Sequence, residues 1–196
     1  MPTRIGVSIF DGAEELDFVG PWEVLTMWSK YFPDDAVEVF TLAQTAEPIT
    51  CAKGMRIIPD QTWDTAPQLD VLVFPGGEGT MLQIGDGAIR SWLQKQADGG
   101  TLMTSVCTGA LVFADAGLLD GRPAITHWAY VGQLSELGKN IDVRTSDRFV
   151  DDGNVITAAG VSAGIDMALH LVSRLASVER ARDVKKFMQY DPQPPV

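Results

Sequence analysis

Residues Thr101–Leu111 read TLMTSVCTGAL and predict a strand that turns directly into a helix. A short β-prone apolar run follows Gly99–Gly100 and leads to Cys107, and a helix-compatible run begins at Ala110. Such a turn lifts one side chain out of the sheet and leaves backbone N–H groups free beneath it. The helix N-terminus is expected to favour the thiolate form of this cysteine. We therefore predict that Cys107 is a nucleophile at a nucleophile elbow.

Apolar runs and helix-compatible stretches alternate on both sides of this turn, which predicts the α/β class. We expect a doubly wound, mostly parallel sheet sandwiched by helices, in a single domain over residues 1–196. Besides the run before Cys107, strands are predicted at Ile5–Phe10, Val37–Leu42, Val71–Phe74, Ala124–Thr126 and Val155–Ala158, with a strand and turn off the main sheet at Cys51–Pro59. Helices are predicted at Gly20–Phe32, Ala88–Asp98, His127–Leu137, Gly164–Leu175 and Ser177–Met188.

Composition narrows the class of protein. The chain has 196 residues, 45% of them hydrophobic, and a net charge of −11. Nucleic-acid binding needs a basic face, so this charge argues against nucleic acid and, more weakly, against anionic membranes. The start lacks the apolar run of a signal peptide, and two cysteines are too few for a disulfide framework. We expect a cytoplasmic protein in which Cys107 stays reduced, and we interpret Cys51 as a packed thiol without a role.

Loops at the carboxyl ends of parallel strands build the site in such folds. Here those loops carry Asp17, Gly76–Gly77, Cys107–Thr108 and His127. Position alone allows Asp17 to be a capping carboxylate before Gly20–Pro21. In contact with a thiolate, however, an ionised carboxylate would raise the pKa of both groups. We therefore expect Asp17 to be protonated and to donate a proton, rather than to activate the cysteine as a base.

Two of these motifs leave alternatives open. Gly76–Gly77 is either a tight turn or a pair of N–H donors for developing negative charge. His127 is either one half of a Cys–His dyad or a histidine satisfied at the start of a helix. His170 is interpreted as structural, and Glu14–Glu15 and Asp151–Asp152 as solvated loops. The histidine spacing builds no metal site, so no metal is expected.

Taken together, the motifs resemble the DJ-1/PfpI superfamily of cysteine-elbow α/β proteins with a flavodoxin-like fold, related to class I glutamine amidotransferases. Within it, the chain is most similar to bacterial isocyanide (isonitrile) hydratases. The matching pieces are Leu16–Pro21, Phe74–Gly77, Ser105–Gly109, Ala116–Gly121, Thr126–Tyr130, Gly160–Asp166 and Tyr190–Pro192.

The resemblance implies a site and a reaction. It implies that a small isonitrile, R–N≡C, gains water and becomes an N-substituted formamide through a thioimidate on the cysteine, without a cofactor. It also implies a homodimer, for which the aromatic first helix with Trp22, Trp28 and Phe32 would offer a surface. The implied roles are Cys107 as nucleophile, Asp17 as proton shuttle, Gly76, Gly77 and Thr108 as oxyanion-type donors, Val161 on a loop that approaches the sulfur, and His127 as support.

Other functions stay open for this superfamily. One is a different cysteine-dependent enzyme, either glyoxalase III-like or a hydrolase. Thr108 stands where the protease-like branch has its histidine, which argues against a protease. Another is a non-enzymatic redox or metabolite sensor, related to the amidase-like domains of AraC-type regulators. Since the last predicted helix ends near Met188, we expect no helix-turn-helix domain after it.

Overall fold

The buried apolar runs of the sequence form the strands, because a parallel sheet covered on both faces needs apolar side chains on both faces. The structure is a computed structural model and describes residues 1–193. The strands are β1 (Thr3–Ser8), β2 (Val37–Ala43), β3 (Ile49–Thr50), β4 (Arg56–Ile57), β5 (Gln61–Thr62), β6 (Val71–Phe74), β7 (Leu102–Val106), β8 (Pro123–Ala124), β9 (Asp142–Val143), β10 (Phe149–Asp151) and β11 (Val155–Ala158).

Seven strands form the main sheet in the order β10-β11-β7-β6-β1-β2-β5. Its neighbouring strands run parallel, except for the antiparallel pair of β10 and β11 at one edge. From β1 the chain adds β2 and β5 on one side, and β6, β7 and β11 on the other. The carboxyl ends of β1 and β6 therefore flank the point where the strand order reverses, and α/β folds bind ligands at such a point.

Helices cover both faces of this sheet. They are α1 (Glu15–Tyr31), α2 (Thr80–Gln83), α3 (Gly87–Asp98), α4 (Gly109–Asp115), α5 (Val131–Leu137), α6 (Ala163–Leu175) and α7 (Val178–Phe187), with 3-10 helices at Pro33–Asp35 and Trp128–Tyr130. Helices α1, α6 and α7 pack together, whereas α4 packs against α3 and α5. Within residues 1–193, no helix combines the length and the apolar character that crossing a membrane would take.

Strand β6 shows how the sheet separates two hydrophobic cores. Val71 and Val73 belong to the core beneath α1 and α6, whereas Leu72 and Phe74 belong to the core beneath α3 and α4. Successive side chains of a strand point to opposite faces, so a strand buried on both faces is apolar at every position. The predicted doubly wound α/β fold is confirmed.

The first helix differs from the prediction. Pro21 was expected at its first position, but α1 begins at Glu15 and Pro21 lies inside it. Proline has no N–H for the i−4 carbonyl, yet its ring packs next to Gly164 of α6, where a Cβ would lie 3.2 Å from Pro21 Cγ. The earlier start has a consequence for the site, because it places Asp17 in the first turn of a helix rather than in a loop.

Two smaller elements also bear on the predictions. The strand and turn expected after Cys51 is a separate antiparallel pair of β3 and β4, outside the main sheet, as predicted. The aromatic surface expected on α1 is not available at Trp28. This side chain is 2% exposed, and its Nε1 donates to Asp35 Oδ2 at 2.6 Å. An aromatic side chain inside the core cannot contribute to pairing.

Candidate active site

Cys107 lies directly after β7 with a backbone φ of 56°, in the left-handed region that a non-glycine residue enters only at a cost. Hydrogen bonds hold it there. Its N–H donates to Ala158 O at 3.1 Å and Ala159 O at 3.0 Å, and the Thr126 hydroxyl donates to its carbonyl at 2.8 Å. Thr126 is buried and was not singled out as a site residue in the sequence. The predicted strand-to-helix turn at Cys107 is thus formed and held.

Two glycines let the neighbouring backbone approach this turn. A Cβ on Gly109 would lie 2.6 Å from the carbonyl oxygen of Phe74. A Cβ on Gly76 would lie 2.5 Å from Thr108 N and 2.9 Å from Asp17 Oδ2. Both distances are too short for a real carbon atom, so glycine at these positions is what allows β6, β7 and α1 to converge.

The Cys107 thiol is 7% exposed, and burial determines its acidity. Burial, followed by the negative charge of Asp17, raises the pKa of the thiol to about 12. The backbone N–H groups of Thr108 and Val161 and the Thr108 hydroxyl act in the opposite direction, because they donate to the sulfur. The backbone at the start of α4 therefore lowers this pKa in the expected direction, but burial outweighs it and the pKa is raised overall. Desolvation disfavours the charged form more than these donors favour it.

Asp17 lies beside this sulfur and is completely buried. Its Oδ2 accepts the Gly76 N–H at 2.9 Å, whereas its Oδ1 is buried without a well-formed hydrogen bond among the residues described. Burial first, and the charge of Glu14 in addition, raise the pKa of Asp17 from 3.8 to about 7. Hydrogen bonds to Gly76 and Cys107 lower it. A raised pKa is what we expected of an acid that donates protons.

Cys107 and Asp17 form a coupled pair of acids. A thiol beside a carboxylate carries the same total charge as a thiolate beside a neutral carboxyl. Moving one proton from sulfur to Asp17 therefore adds no net charge to the buried site, whereas removing a second proton does. Because the negative charge of Asp17 is one of the causes that raise the pKa of the thiol, the thiolate forms more readily when Asp17 is neutral.

The raised pKa of Asp17 predicts an unusual pH dependence of stability. A carboxyl whose pKa is raised in the folded state stabilises the fold below about pH 4, and this contribution is lost as pH rises through about 7. A difference of 3.8 against about 7 corresponds to about 4 kcal/mol at most. We expect Asp17→Asn to raise the free energy of unfolding at pH 8 and to change it little at pH 4, measured by urea denaturation. A less stable variant at pH 8 would contradict this account.

The amides of Gly76 and Gly77 donate to side chains of the protein, whereas an oxyanion role would need them free. Gly76 N–H donates to Asp17, and Gly77 N–H donates to Thr108 Oγ1 at 2.9 Å. Neither is free to stabilise an oxyanion, so the predicted donor role does not fit the structure for these two residues. The donors that face the sulfur are the N–H groups of Thr108 and Val161. Val161 holds its amide there at a φ of 46°, which is strained for a β-branched residue.

His127 is close to the site, but no hydrogen bond joins it to Cys107 in the described part of the chain. Its Nδ1 accepts the Ala129 N–H at 3.3 Å, which caps the 3-10 helix at Trp128–Tyr130 and leaves the proton of the neutral ring on Nε2. The ring packs so closely on Gly160 that a Cβ there would lie 2.3 Å from Cδ2. Of the two interpretations of His127, the geometry favours a histidine whose ring is hydrogen-bonded at the start of a helix over one half of a Cys–His dyad.

A cleft of about 160 Å³ opens onto the sulfur. Asp17 does not line it and lies behind Cys107. Three residues of the cleft were missed as site residues: Glu14, Glu78 and Tyr130, of which Glu14 was interpreted as part of a solvated loop. No local signal marks them, because they reach the cleft only through the fold. The cleft is lined by Glu14, Gly77, Glu78, Cys107, Thr108, His127, Tyr130 and Val161.

The remaining polar groups singled out in the sequence have structural partners. His170 Nε2 lies 2.7 Å from Asp151 Oδ2, and Arg174 Nη1 donates to Asp151 Oδ1 at 2.9 Å. Glu14 and Glu15 both pair with Lys53. Cys51 is buried, and burial raises the pKa of its thiol. Over residues 1–193, no three or more His, Cys, Asp or Glu side chains are grouped so that they could hold a metal ion.

Comparison with known protein sequences finds relatives that match nearly the whole chain. A sequence model of the DJ-1/PfpI family matches residues 3–174. The isonitrile hydratase of Pseudomonas putida is 38% identical over 195 residues, which cover 100% of this chain and 82% of that protein. The HTH-type transcriptional regulator GbdR of Pseudomonas aeruginosa is 28% identical over 190 residues, which cover 97% of this chain and 51% of the regulator.

Solved structures of similar proteins superimpose on this chain. A THiJ/PfpI family protein from Pseudomonas syringae superimposes with a TM-score of 0.89 at 31% identity, covering 100% of this chain and 78% of that one. DJ-1beta of Drosophila melanogaster gives a TM-score of 0.85 at 26% identity, covering 97% and 100%. The likeness extends over the whole fold described above, including the strands that carry the cleft.

Proposed function

Because the chain belongs to the DJ-1/PfpI family, we propose that it is an isonitrile hydratase, a hydro-lyase that adds water to R–N≡C and releases an N-substituted formamide. The observation that carries this proposal is the Cys107–Asp17 pair. A buried nucleophile touches a carboxyl with a pKa of about 7, behind a small cleft. Such a pair supplies a soft nucleophile and one proton at the same carbon, which is what an isonitrile requires.

In the first step, the proton of the pair is on Asp17 and the Cys107 thiolate attacks the terminal carbon of the isonitrile. Asp17 returns the proton to that carbon as the C–S bond forms. The result is the thioimidate R–N=CH–S–Cys107, in which sulfur and hydrogen have both added to the terminal carbon. The N–H groups of Thr108 and Val161 stabilise the negative charge on sulfur before the bond forms.

In the second step, a water molecule enters from the cleft and attacks the thioimidate carbon. One of its hydrogens ends on nitrogen and the other on sulfur, the C–S bond breaks, and R–NH–CHO leaves. The thiol is thereby restored, and no oxidant or cofactor is needed. We assign the proton transfers of this step to Asp17 too, and we assign His127 a supporting role at the wall of the cleft.

The charge of the cleft restricts its substrates. Glu78 lines it together with Glu14, which pairs with Lys53, and among residues 1–193 no lysine or arginine lines it. Coulomb repulsion should therefore keep anionic substrates out, whereas neutral ones enter. This fits a substrate in which the reacting group is an uncharged isonitrile.

This repulsion can be measured on Cys107 itself. Relative to a free thiol, we expect Cys107 to discriminate against the anion iodoacetate in favour of neutral iodoacetamide. Removing one exposed charge with Glu78→Gln should reduce that discrimination about threefold, since solvent screens the charge. Alkylation rates in a Cys51→Ser background give the comparison, with Glu179→Gln on α7 as a matched control. Equal discrimination in both glutamine variants would show that Glu78 exerts no such effect.

The proposed reaction is tested by incubating the protein with several small isonitriles and following the formamide by NMR. We expect many turnovers per protein molecule and a mass increase on Cys107 when the reaction is stopped early. Formamide at the rate of buffer alone, with every isonitrile, would refute the proposal. Lactate from methylglyoxal would then favour the glyoxalase III-like alternative, and oxidation of Cys107 by mild peroxide without any substrate would favour a sensor.

The homodimeric, cytoplasmic form is a further part of this proposal, and it rests on the family resemblance and the acidic composition. Sedimentation velocity at micromolar concentration tests the dimer directly. A monomer throughout the accessible concentration range would remove that part and leave the proposed chemistry untouched.

A further inference from the structure

A second cavity, which we call the side cavity, lies next to the cleft that opens onto Cys107. Its volume is about 290 Å³, against about 160 Å³ for the cleft. Trp128 and the segment Thr145–Arg148 line the side cavity, whereas His127 and Val161 line both spaces. A residue that borders two neighbouring cavities forms part of the wall between them. The His127 ring and the loop at Val161 are therefore that wall.

The His127 ring is held in this wall from several sides. Its Nδ1 accepts the Ala129 N–H at 3.3 Å, and its Cδ2 lies against Gly160, where a Cβ would be 2.3 Å away. The rings of Trp128 and Tyr130 lie next to it, with centroids at 5.4 Å and 6.0 Å. Turning the ring out of the wall would cost a hydrogen bond and two aromatic contacts.

The volume of the cleft limits which molecules can react at Cys107. Pockets for small-molecule ligands commonly have about 300–1,000 Å³, so the cleft by itself is well below this range, whereas the two spaces joined would fall inside it. The reacting carbon and the attacking water must both occupy the cleft. Little room is left there for the rest of a substrate, unless that part passes the His127 ring and enters the side cavity.

We propose that His127 determines the size of the substrate: its ring closes the side cavity off from Cys107 and so limits the substrate to an isonitrile with a small R group. The isonitrile in this statement rests on the proposed function, whereas the size limit applies to any electrophile that reacts with Cys107. Shortening the side chain at position 127 joins the two spaces. A larger R group would then lie beside the exposed indole of Trp128.

The test compares two neutral reagents on Cys107 in the Cys51→Ser background, iodoacetamide and its N-phenyl derivative. Both present the same iodomethyl carbon to the sulfur, so the ratio of their rates does not depend on how much thiolate is present. Relative to a free thiol such as glutathione, we expect Cys107 to disfavour the N-phenyl reagent. His127→Ala should raise the ratio of N-phenyl to unsubstituted reagent about fivefold to tenfold, since relief of overpacking has effects of this order.

Two further variants complete the comparison. His127→Asn keeps a side-chain acceptor for the Ala129 N–H and should raise the ratio by a smaller factor. It also gives the result if His127→Ala does not fold. His170→Ala is the matched control, because His170 pairs with Asp151 on the far side of α6 from neither space and should leave the ratio unchanged. A ratio in both His127 variants equal to that in His170→Ala would overturn the proposal.

Formamide production with ethyl and benzyl isonitrile separates this proposal from the hydratase proposal. If the alkylation ratio rises in the His127 variants but neither isonitrile yields formamide, the size limit set by His127 is supported and the proposed function fails. If formamide forms but the alkylation ratio is the same in every variant, the hydratase proposal is supported and the role given to His127 is wrong.

Discussion

Replacing Cys107 by serine is expected to reduce formamide formation by at least about a thousandfold. The surroundings that raise the pKa of a thiol to about 12 would disfavour an alkoxide even more strongly, because a hydroxyl is intrinsically far less acidic. Initial rates with a neutral isonitrile, measured by formamide production, provide the comparison.

The second cysteine supplies the control for this variant. Cys51 is buried beside the β3–β4 pair and does not line the cleft, so Cys51→Ser should keep turnover close to that of the unchanged chain. A Cys107→Ser protein that retains its fold by circular dichroism and still forms formamide at more than one tenth of the original rate would exclude the thioimidate route.

Replacing Asp17 by asparagine is expected to change two rates in opposite directions. Turnover should fall about a hundredfold or more, because asparagine cannot carry the proton between sulfur and carbon. Alkylation of Cys107 at pH 8 should become faster, because the negative charge of Asp17 raises the pKa of the thiol and the amide has no charge. The amide oxygen can still accept the Gly76 N–H, so the turn should keep its shape.

Opposite changes in turnover and alkylation distinguish a carboxylate that carries a proton from one that only maintains the structure. Asp60→Asn removes a carboxylate that accepts two hydrogen bonds from Thr41, away from the cleft, and should leave both rates unchanged. If both turnover and alkylation fell together in Asp17→Asn, Asp17 would act by holding the site in shape. In that case the proposed role in proton transfer would be wrong.

Several parts of the site were within reach of the sequence because they depend on short stretches of chain. The turn at Cys107 is local: an apolar strand, two residues and a glycine in succession predict its shape. The sign of the interaction between Asp17 and a thiolate also follows from elementary electrostatics, and the negative charge of Asp17 does raise the pKa of the Cys107 thiol. The burial of Val71–Phe74 on both faces of the sheet could also be predicted from a short stretch, because four successive apolar residues indicate a central strand.

Other parts depended on distances between segments far apart in the chain. The sequence left open whether Gly76 and Gly77 form a tight turn or offer their amides to developing negative charge, and the fold brings Asp17 and Thr108 to these amides. The thiol was predicted to be acidic from the helix that follows it, but its acidity is decided by how deeply the sheet and α1 bury it. Glu78 reaches the cleft from the loop before α2, and Tyr130 reaches it from the 3-10 helix at Trp128–Tyr130.

The sequence by itself determined the doubly wound fold and the position of the candidate nucleophile Cys107, since both follow from hydrophobic periodicity and from one short turn. Tertiary structure alone decided the burial of the Cys107–Asp17 pair and the partners of the glycine amides. The physical reason is that burial and hydrogen bonding are sums over everything nearby in space. A neighbour 59 residues away in the chain, as Gly76 is from Asp17, contributes to these sums as much as an adjacent residue does.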